Sequence, residues 1–321
     1  MVSVIIPVKN GEATLGKCLE ALNNQTIAAN IEIIILDSSS TDSSKEIAKR
    51  FNAKIIDVLP GTFNHGLTRN LGVQYAQNEF LYFSVQDAYL AKPDALERMI
   101  QHFTDGKVAG VSGNQGTPHD KDKNPVNWYK PISAPTINRY HFNSPEDFEK
   151  LSPEKKVVVC GWDNVNALYR KKILLEIPFA DTPFAEDMIW AKKALLNGHC
   201  IIKDSSIVAW HYHHRSFSYE IKVMVTVAYY HYREFLFKPK YPSVILRLLQ
   251  VINRLAKERS INITQKLYWF FHNIGIIAAD YKAAFKTRHA IKKGGIKRLQ
   301  LLYEKYSASV PMGRLKGQYK F

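Results

Sequence analysis

The sequence predicts an α/β protein with a mostly parallel β-sheet, followed by a basic helical region. The first observation behind this class is that apolar runs of strand length alternate with helix-like stretches over about the first 112 residues. The second is that charge is uneven, because residues 219–321 hold 20 Lys and Arg against 5 Asp and Glu, whereas residues 1–218 are balanced. We therefore place a boundary near residue 218.

Five runs of β-branched, aliphatic or aromatic residues predict the strands. They are VSVIIPV (2–8), IEIIILD (31–37), AKIIDVL (53–59), EFLYFSV (79–85) and KVAGVSG (107–113). The stretches between them have the length and pattern of helices: 12–22, 42–51, 66–76 and 93–103. An alternation of strand and helix repeated four times indicates a parallel sheet covered by helices on both faces.

The segment after these strands is polar and rich in Pro, Asn, Asp and Lys, which predicts long loops over 114–160. Two more strands, 165–170 and 200–210, flank a helix within FAEDMIWAKKALLNG (184–198) that ends at Gly198. From about residue 217 onward, aromatic and aliphatic residues are interleaved with Lys and Arg at helical spacing. We predict a domain over 1–218, with halves at 1–113 and 114–218, and a mainly helical region over 219–321.

Composition excludes several classes of protein. Cys18, Cys160 and Cys200 are widely spaced and odd in number, so neither a disulfide framework nor a thiolate zinc site is indicated. The chain starts in a strand-like run without a signal-peptide pattern, and no window holds 18 uncharged apolar residues, so we expect a cytoplasmic protein. Neither a G-x-G-x-x-G after the first strand nor a P-loop is present.

Polar residues follow the predicted strands at their carboxyl ends, where open parallel sheets bind ligands. The first strand is followed by KNGE, the second ends in Asp37 before SSSTD, the third runs into PGTFNHGLTRN, and the fourth ends in SVQDAYL. The sequence therefore predicts a binding site at this edge of the sheet.

Seven segments carry a resemblance to a known family over residues 2 to about 218. They are VSVIIPVKNGEATLGKCLEAL, ILDSSSTDSS, FNHGLTRNLG, FSVQDAYL, DNVNALYRKK, FAEDMIWAKKALLNG and VAWHYHH, in that order. The chain resembles the family 2 glycosyltransferases of the GT-A fold, and within them the rhamnosyltransferase-like members. The resemblance implies an inverting enzyme that transfers rhamnose from a dTDP- or UDP-sugar to a glycan or lipid-linked glycan during surface polysaccharide synthesis. Two alternatives stay open: a hexosyltransferase using a UDP- or GDP-sugar, and a non-catalytic relative that binds nucleotide sugars or glycans.

The resemblance assigns the donor site to the amino-terminal half, 1–113. The residues implied in binding nucleotide and donor sugar are Pro7, Val8, Asp37, Asn64, His65, Arg69, Gln86 and Asp87. A carboxylate such as Asp37 suits the ring N–H of uracil or thymine, and a guanidinium such as Arg69 suits a phosphate. Asp37 is alternatively a cap for the next helix, and Arg69 is alternatively a surface residue.

The family's metal-binding D-x-D is altered in this chain. Val85 stands at the first acidic position, which leaves Asp87 alone in SVQDA. His211 or His213 in WHYHH is the second ligand that the resemblance suggests for Mg²⁺ or Mn²⁺, and an imidazole suits Mn²⁺ better. The alternative is that both histidines are polar residues at a strand edge.

Glu186 and Asp187 begin the helix within FAEDMIWAKKALLNG, where acidic side chains commonly complement the helix dipole. The resemblance gives them another role, with Asp187 as the general base and Glu186 as a neighbour that binds the acceptor or holds the loop. It also assigns the acceptor site to the half over 114–218, through Trp162, Asp163, Asn164 and Asn166. Trp162 is alternatively a core residue.

The basic region over 219–321 suits one of several partners. Lys and Arg with Tyr, Trp and Phe on helices fit an anionic membrane surface, here the cytoplasmic face of the cell membrane. No nucleic-acid motif accompanies these residues, so nucleic acid is not expected. The alternatives are a homodimer and helices that pack on the rest of the chain with basic faces in solvent.

Overall fold

The computed structural model describes residues 1–128 and 136–307, which form two compact units. The first unit holds residues 1–116 and 136–211, and the second holds residues 117–128 and 212–307. The end of the predicted basic region, 308–321, lies outside the described residues, as does 129–135 of the polar segment.

The first unit is built on one sheet, which has nine strands among the described residues. These are β1 (Val2–Val8), β2 (Ile31–Asp37), β3 (Lys54–Asp57), β4 (Phe80–Phe83), β5 (Tyr89–Leu90), β6 (Val108–Gly116), β7 (Ile137–Tyr140), β8 (Ala167–Arg170) and β9 (Cys200–Trp210). The order is β3-β2-β1-β4-β8-β6-β9-β5, with β7 paired to β9. Strands β3, β2, β1 and β4 are parallel, and β6 is parallel to β9.

The first unit has eight α-helices among the described residues, of which the first four and the last lie where the sequence predicts them. They are α1 (Leu15–Asn23), α2 (Ser44–Arg50), α3 (His65–Tyr75), α4 (Ala95–Gln101), α6 (Pro145–Glu149), α7 (Pro153–Cys160), α8 (Lys171–Glu176) and α9 (Glu186–Leu196), while α5 (Pro125–Trp128) belongs to the second unit. All seven residues of β1 are buried, as expected for a strand covered on both faces. The α/β class is confirmed.

Two features differ from the sequence prediction. Strand β8 runs antiparallel between β4 and β6, so the sheet is parallel on one side and mixed on the other. The segment 114–160 is not a set of long loops, because it contains β7, α6 and α7. Ser144 and Ser152 cap α6 and α7, each accepting a hydrogen bond from a backbone N–H, and a proline follows each of them in the first turn.

Helix α3 lies close to the chain before α9 because it carries a glycine at the contact. A Cβ on Gly66 would lie 2.0 Å from the carbonyl oxygen of Ala180. The side chain of Asn70 on the same helix donates to the carbonyl of Phe179 at 2.9 Å and accepts from its N–H at 3.1 Å. These contacts fix α3 beside the segment that leads into α9.

The second unit is helical. Its long helices are α10 (Phe217–Phe235), α11 (Val244–Lys257) and α12 (Ile263–Ser307), and α12 is interrupted at Gly294 and Gly295, where Gly295 has φ +57°. Tyr229 on α10 stacks on Tyr303 of α12 with ring centroids 4.4 Å apart. Asn124, just before α5, exchanges hydrogen bonds of 2.9 and 3.1 Å with Asn273 of α12.

Within the described part of the chain, we find no helix with the length and hydropathy that crossing a bilayer requires.

The contact at Gly66 gives a first prediction. We expect Gly66→Ala to lower the free energy of unfolding by about 1–3 kcal/mol, because the added methyl meets backbone that must move. Gly16→Ala in α1 is the matched control, since a Cβ there meets no atom within 4 Å, and it is expected to be neutral or slightly stabilising. Urea denaturation of both variants measures the difference, and equal stabilities would contradict the close approach.

Candidate active site

The carboxyl ends of β1 and β2 meet in register, which places Pro7, Val8 and Asp37 side by side. Val8 pairs with Asp37, and the N–H of the next residue, Ser38, donates to the carbonyl of Val8 at 2.8 Å. The side chain of Asp37 is buried. Its Oδ2 accepts from a backbone N–H, whereas Oδ1 has no hydrogen-bond partner among the described residues. One buried carboxylate oxygen therefore retains its capacity to accept a hydrogen bond.

Gln86 ties the loop after β4 to the loop after β1. Its Oε1 accepts from the N–H of Lys9 at 2.8 Å, and its Nε2 donates to the carbonyl of the same residue at 3.3 Å. A Cβ on Gly11 would lie 3.1 Å from the Gln86 side chain, so the two loops pack tightly. Gln86, predicted in the donor site, thus holds the loop beside Asp87.

Asp87 lies beside His211, as the predicted pairing of these ligands requires. The Nε2 atom of His211 is 3.5 Å from Oδ1 of Asp87. Its Nδ1 is 2.8 Å from Oε1 of Gln115, and the Nε2 of Gln115 donates to the carboxylate of Asp163. Because the amide nitrogen of Gln115 faces a carboxylate, its oxygen faces His211 and accepts from Nδ1–H. With Nδ1 donating to Gln115, Nε2 is the ring nitrogen that faces Asp87.

This donor set fits a divalent cation. A carboxylate oxygen and an imidazole nitrogen are ligands that Mn²⁺ accepts, and a second contact that fixes the ring, as Gln115 does, is typical of histidine ligands. His213 follows His211 by two residues, at the beginning of the second unit. Sequence reasoning missed Gln115, because a single glutamine at the end of a strand carries no recognisable pattern.

Glu186, at the start of α9, forms a buried ion pair with Arg69 of α3. Oε1 of Glu186 is 2.9 Å from NH1 of Arg69, and the two residues are only 5% and 4% exposed. The same oxygen accepts from Nδ2 of Asn164 at 3.0 Å. Burial favours the neutral acid, but Arg69, followed by His65 and Asn164, outweighs it and holds the pKa of Glu186 below its usual value.

The pKa of Asp187 is shifted upwards, in the direction opposite to that of Glu186. Burial, followed by the negative charges of Glu186 and Asp163, raises the pKa of Asp187 well above its usual value. Its Oδ1 accepts from the N–H of Met188 at 2.7 Å and its Oδ2 from the N–H of Asn164 at 3.3 Å. Two adjacent carboxylates whose pKa values are pushed apart are characteristic of acid and base chemistry. Of the two, Asp187 has the higher affinity for a proton.

The backbone before this pair is strained. Ala185 adopts φ +62°, a left-handed conformation that a residue with a Cβ rarely occupies. Such strain persists only where surrounding contacts impose it, and it clusters at functional sites. Ala185 directly precedes Glu186 and Asp187, the two carboxylates whose pKa values are shifted in opposite directions.

Asn164 and Asp163 lie next to the two carboxylates. Asn164 contacts both of them, and its Oδ1 also accepts from the hydroxyl of Tyr169. Asp163 accepts from the N–H of Val165 at 2.9 Å, and burial raises the pKa of its side chain. These two predicted acceptor residues are therefore part of the same polar cluster.

Trp162 and Asn166, the other two predicted acceptor residues, are buried in the core of the first unit. The indole N–H of Trp162 donates to the Tyr169 hydroxyl at 2.7 Å, and its ring packs against Trp190. The Asn166 side chain accepts from the Tyr82 hydroxyl at 3.1 Å and donates to two strand carbonyls at 3.0 Å each. Trp162 thus packs between strand β8 and helix α9, whereas Asn166 joins strands β4, β6 and β9.

Asn64 and His65 begin α3. Oδ1 of Asn64 accepts from the N–H groups of Gly66 and Leu67 at 2.9 and 3.0 Å, which makes it the N-cap of the helix. The ring of His65 contacts Arg69, with Nδ1 3.2 Å from NH1. The two residues thus orient α3 and its arginine.

A series of polar contacts, continued by the peptide bond between Asp163 and Asn164, links the predicted metal ligand to the predicted base within the first unit. The connection passes through Asp87, His211, Gln115, Asp163, Asn164 and Asp187. One unit thus contains candidates for the groups that a transferase of the GT-A class would need, an acceptor for the nucleotide base, a cation site and a general base.

Comparisons with known proteins support the assignment to a class of transferases. The profile described as "Glycosyl transferase family 2" matches residues 3–177, and the chain belongs to this family. It is 32% identical over 219 residues to the O-antigen chain rhamnosyltransferase RfbN of Salmonella typhimurium, and the match covers 66% of each chain. The chain thus spans slightly less than two thirds of that relative's length.

Solved structures confirm the GT-A fold. The mannosyltransferase PcManGT of Pyrobaculum calidifontis, in complex with GDP-Man and Mn²⁺, superposes with a TM-score of 0.53 at 16% identity, covering 95% of this chain and 79% of that one. S. aureus TarS 1–349, in complex with UDP-GlcNAc, gives a TM-score of 0.51 at 18% identity, covering 95% of this chain and 91% of that one.

The buried ion pair gives a second prediction. We expect Arg69→Met to lower the free energy of unfolding by about 3–5 kcal/mol, because it leaves the Glu186 charge buried without its partner. Arg139→Met is the control, since Arg139 and Asp105 form a solvent-exposed pair whose loss is expected to change the free energy of unfolding little. Chemical denaturation measures both, and similar small losses would contradict the proposed importance of the buried pair.

Proposed function

We propose that this protein is an inverting glycosyltransferase. It transfers rhamnose from a dTDP- or UDP-linked donor to a hydroxyl of a glycan or lipid-linked glycan in surface polysaccharide synthesis. The observation that carries the proposal is the opposite pKa shifts of Glu186 and Asp187 in a polar cluster that reaches Asp87. The Salmonella relative supports the sugar and the pathway, and the two structural neighbours support a nucleotide-sugar donor.

The donor nucleotide lies at the carboxyl ends of β1 and β2 in this proposal. The carboxylate of Asp37 is the proposed acceptor for the ring N–H of uracil or thymine, with Pro7 and Val8 beside the base. Gln86 holds the loop that leads to Asp87. Guanine also carries a ring N–H, so this contact alone leaves the GDP-sugar alternative to experiment.

Asp87 and His211 would hold Mg²⁺ or Mn²⁺ in this proposal. A cation bound there would offset the negative charge of the diphosphate leaving group. Gln115 keeps the His211 ring in the orientation and tautomer that present Nε2 to the ion. Arg69 is paired with Glu186, so its proposed part is to maintain the carboxylate pair rather than to bind the diphosphate.

Asp187 removes the proton from the acceptor hydroxyl. As that oxygen forms a bond to C1 of the donor sugar, the bond from C1 to the diphosphate oxygen breaks on the opposite face and its electron pair leaves with the nucleotide diphosphate. The proton goes to Asp187, whose raised pKa makes it the stronger base of the two carboxylates. Glu186 stays ionised against Arg69, and Asn164 orients both carboxylates.

The third prediction tests this base. Asp187→Asn is expected to lower transfer from dTDP-rhamnose by roughly 10²- to 10⁴-fold, because the variant cannot accept the proton. Donor binding, measured by thermal shift with dTDP, is expected to be retained. In the unmodified protein, kcat/KM is expected to rise with pH through a value above the usual carboxyl range, since the base form accumulates as the raised pKa is passed.

Near-normal turnover by Asp187→Asn would refute the assignment. Turnover with UDP-glucose or GDP-mannose, and none with dTDP-rhamnose, would favour the hexosyltransferase. Binding of nucleotide sugars without transfer or donor hydrolysis would favour the non-catalytic relative.

The fourth prediction concerns the cation. We expect EDTA to abolish transfer and Mn²⁺ to restore it, and we expect His211→Ala to weaken Mn²⁺ binding about 10-fold or more, measured by electron paramagnetic resonance of free Mn²⁺. Gln115→Leu is expected to weaken Mn²⁺ binding by about 10- to 100-fold, since it removes the contact that fixes the imidazole. His102→Ala is the control, because that histidine pairs with Asp204 elsewhere. Unchanged activity after EDTA treatment would exclude the cation.

A further inference from the structure

Helix α11 of the second unit leaves an apolar face uncovered. Ile245, Leu246, Leu249 and Ile252 are 73%, 61%, 57% and 51% exposed. Their spacing of i, i+1, i+4 and i+7 places them on one face of the helix, which we call the α11 stripe. A different face buries α11 against its own unit, through Val251 and Leu255. Helix α11 is therefore apolar on two faces, and only one of them packs against the rest of the second unit.

The second unit also contains a basic cavity, one of whose lining residues lies close to α11 in the sequence. The cavity has a volume of about 670 Å³ and is lined by Tyr232, Lys238, Tyr241, Phe285, Arg288, His289, Ile291 and Lys292. The lining includes two lysines, an arginine and a histidine but no carboxylate. Tyr241 lines it three residues before α11 begins at Val244.

The cavity is held in shape by its own side chains. The guanidinium of Arg288 lies over the ring of Tyr241, 5.1 Å from its centroid, and donates to the carbonyl of Pro239 at 3.0 Å. The ring of Phe285 stacks on His289 with centroids 6.0 Å apart. Because like charges gathered without a counter-ion repel one another, this lining favours an anionic ligand.

A partner of the second unit must suit both the basic cavity and the apolar α11 stripe. A second copy of the chain would bring a second region with the same excess of positive charge, 20 Lys and Arg against 5 Asp and Glu over 219–321. A nucleic acid would meet the basic residues but would leave the apolar α11 stripe in water. An anionic phospholipid surface offers phosphates to the cavity and an apolar layer to the stripe.

We propose that the second unit binds an anionic phospholipid surface, with a headgroup phosphate in the cavity and the α11 stripe in the interfacial layer. This binding is independent of the proposed transfer reaction. Tyr232 and Tyr241 suit the same layer, because an aromatic ring with a polar end is favoured where hydrocarbon meets water.

The experiment is co-sedimentation of the full chain with vesicles of phosphatidylglycerol and phosphatidylcholine, compared with vesicles of phosphatidylcholine alone. We expect binding to the anionic vesicles only, weakened by salt. Lys292→Glu in the cavity and Leu249→Ser in the α11 stripe are each expected to reduce binding by about 10-fold or more. Lys292→Gln, a milder change, is expected to give an intermediate loss.

Lys297→Glu is the matched control, since Lys297 lies on α12 with the same charge but does not line the cavity. Its loss is expected to be clearly smaller than that of Lys292→Glu. Circular dichroism melting checks that every variant is folded.

Three results would overturn the proposal. Equal losses for Lys292→Glu and Lys297→Glu would show a diffuse charge effect without a headgroup site. Stabilisation by inorganic phosphate without vesicle binding would identify a soluble phosphate ligand. Loss of a dimer in Leu249→Ser, seen by light scattering, without vesicle binding would assign the stripe to a second copy.

Discussion

The buried ion pair between Arg69 and Glu186 is the interaction on which the rest of the site depends. A carboxylate this deeply buried would be neutral without a cation beside it, and a neutral Glu186 would no longer raise the pKa of Asp187. The pair also joins α3 to α9, two helices distant in the sequence. The absence of a side chain at Gly66 allows this approach, because a methyl there would collide with backbone before α9.

The polar cluster rests on an aromatic core that keeps it in one geometry. Trp162, Tyr169 and Trp190 pack on one another, and the Tyr169 hydroxyl accepts from Trp162 and donates to Asn164. Asn164 then donates to Glu186 from its side-chain amide and to Asp187 from its backbone N–H, so the core positions both carboxylates through one residue. Trp162 is only 5% exposed, and stacking on a sugar needs an open ring face. Its place in the structure therefore favours the core alternative that its sequence left open.

Much of the fold could be predicted from the sequence, because the strands and helices of the first unit are local patterns. The run at 2–8 became β1 with the predicted bounds, and the helix ending at Gly198 was recognised from its glycine, which has φ +74°. The position of β8 between β4 and β6 was not predictable, since strand pairing is non-local. Helices α6 and α7 did have a signal, the Ser-Pro-Glu that begins each of them, which the polar composition of the segment obscured.

The candidate site, like the fold, has residues that the sequence predicts and contacts that it does not. Motifs pointed to Glu186, Asp187, Asp87 and His211, because each lies within a recognisable segment. Their partners are harder to recognise: Gln115, which orients His211, lies in no such segment, and Arg69, which its segment assigns to a phosphate, pairs instead with the carboxylate of Glu186. Such partners are defined by three-dimensional proximity between residues far apart in the chain.

The distribution of charge along the chain is consistent with this chemistry. The raised pKa of Asp187 depends on burial and on the two acidic neighbours Glu186 and Asp163, and Arg69 opposes it only weakly. Further cations next to this cluster would lower that pKa towards its ordinary value and weaken the base. Residues 1–218 have no excess of positive charge, and the excess is confined to residues 219–321. A chain that needs both a carboxylate of raised pKa and a strongly basic surface can satisfy both requirements by placing them in separate segments.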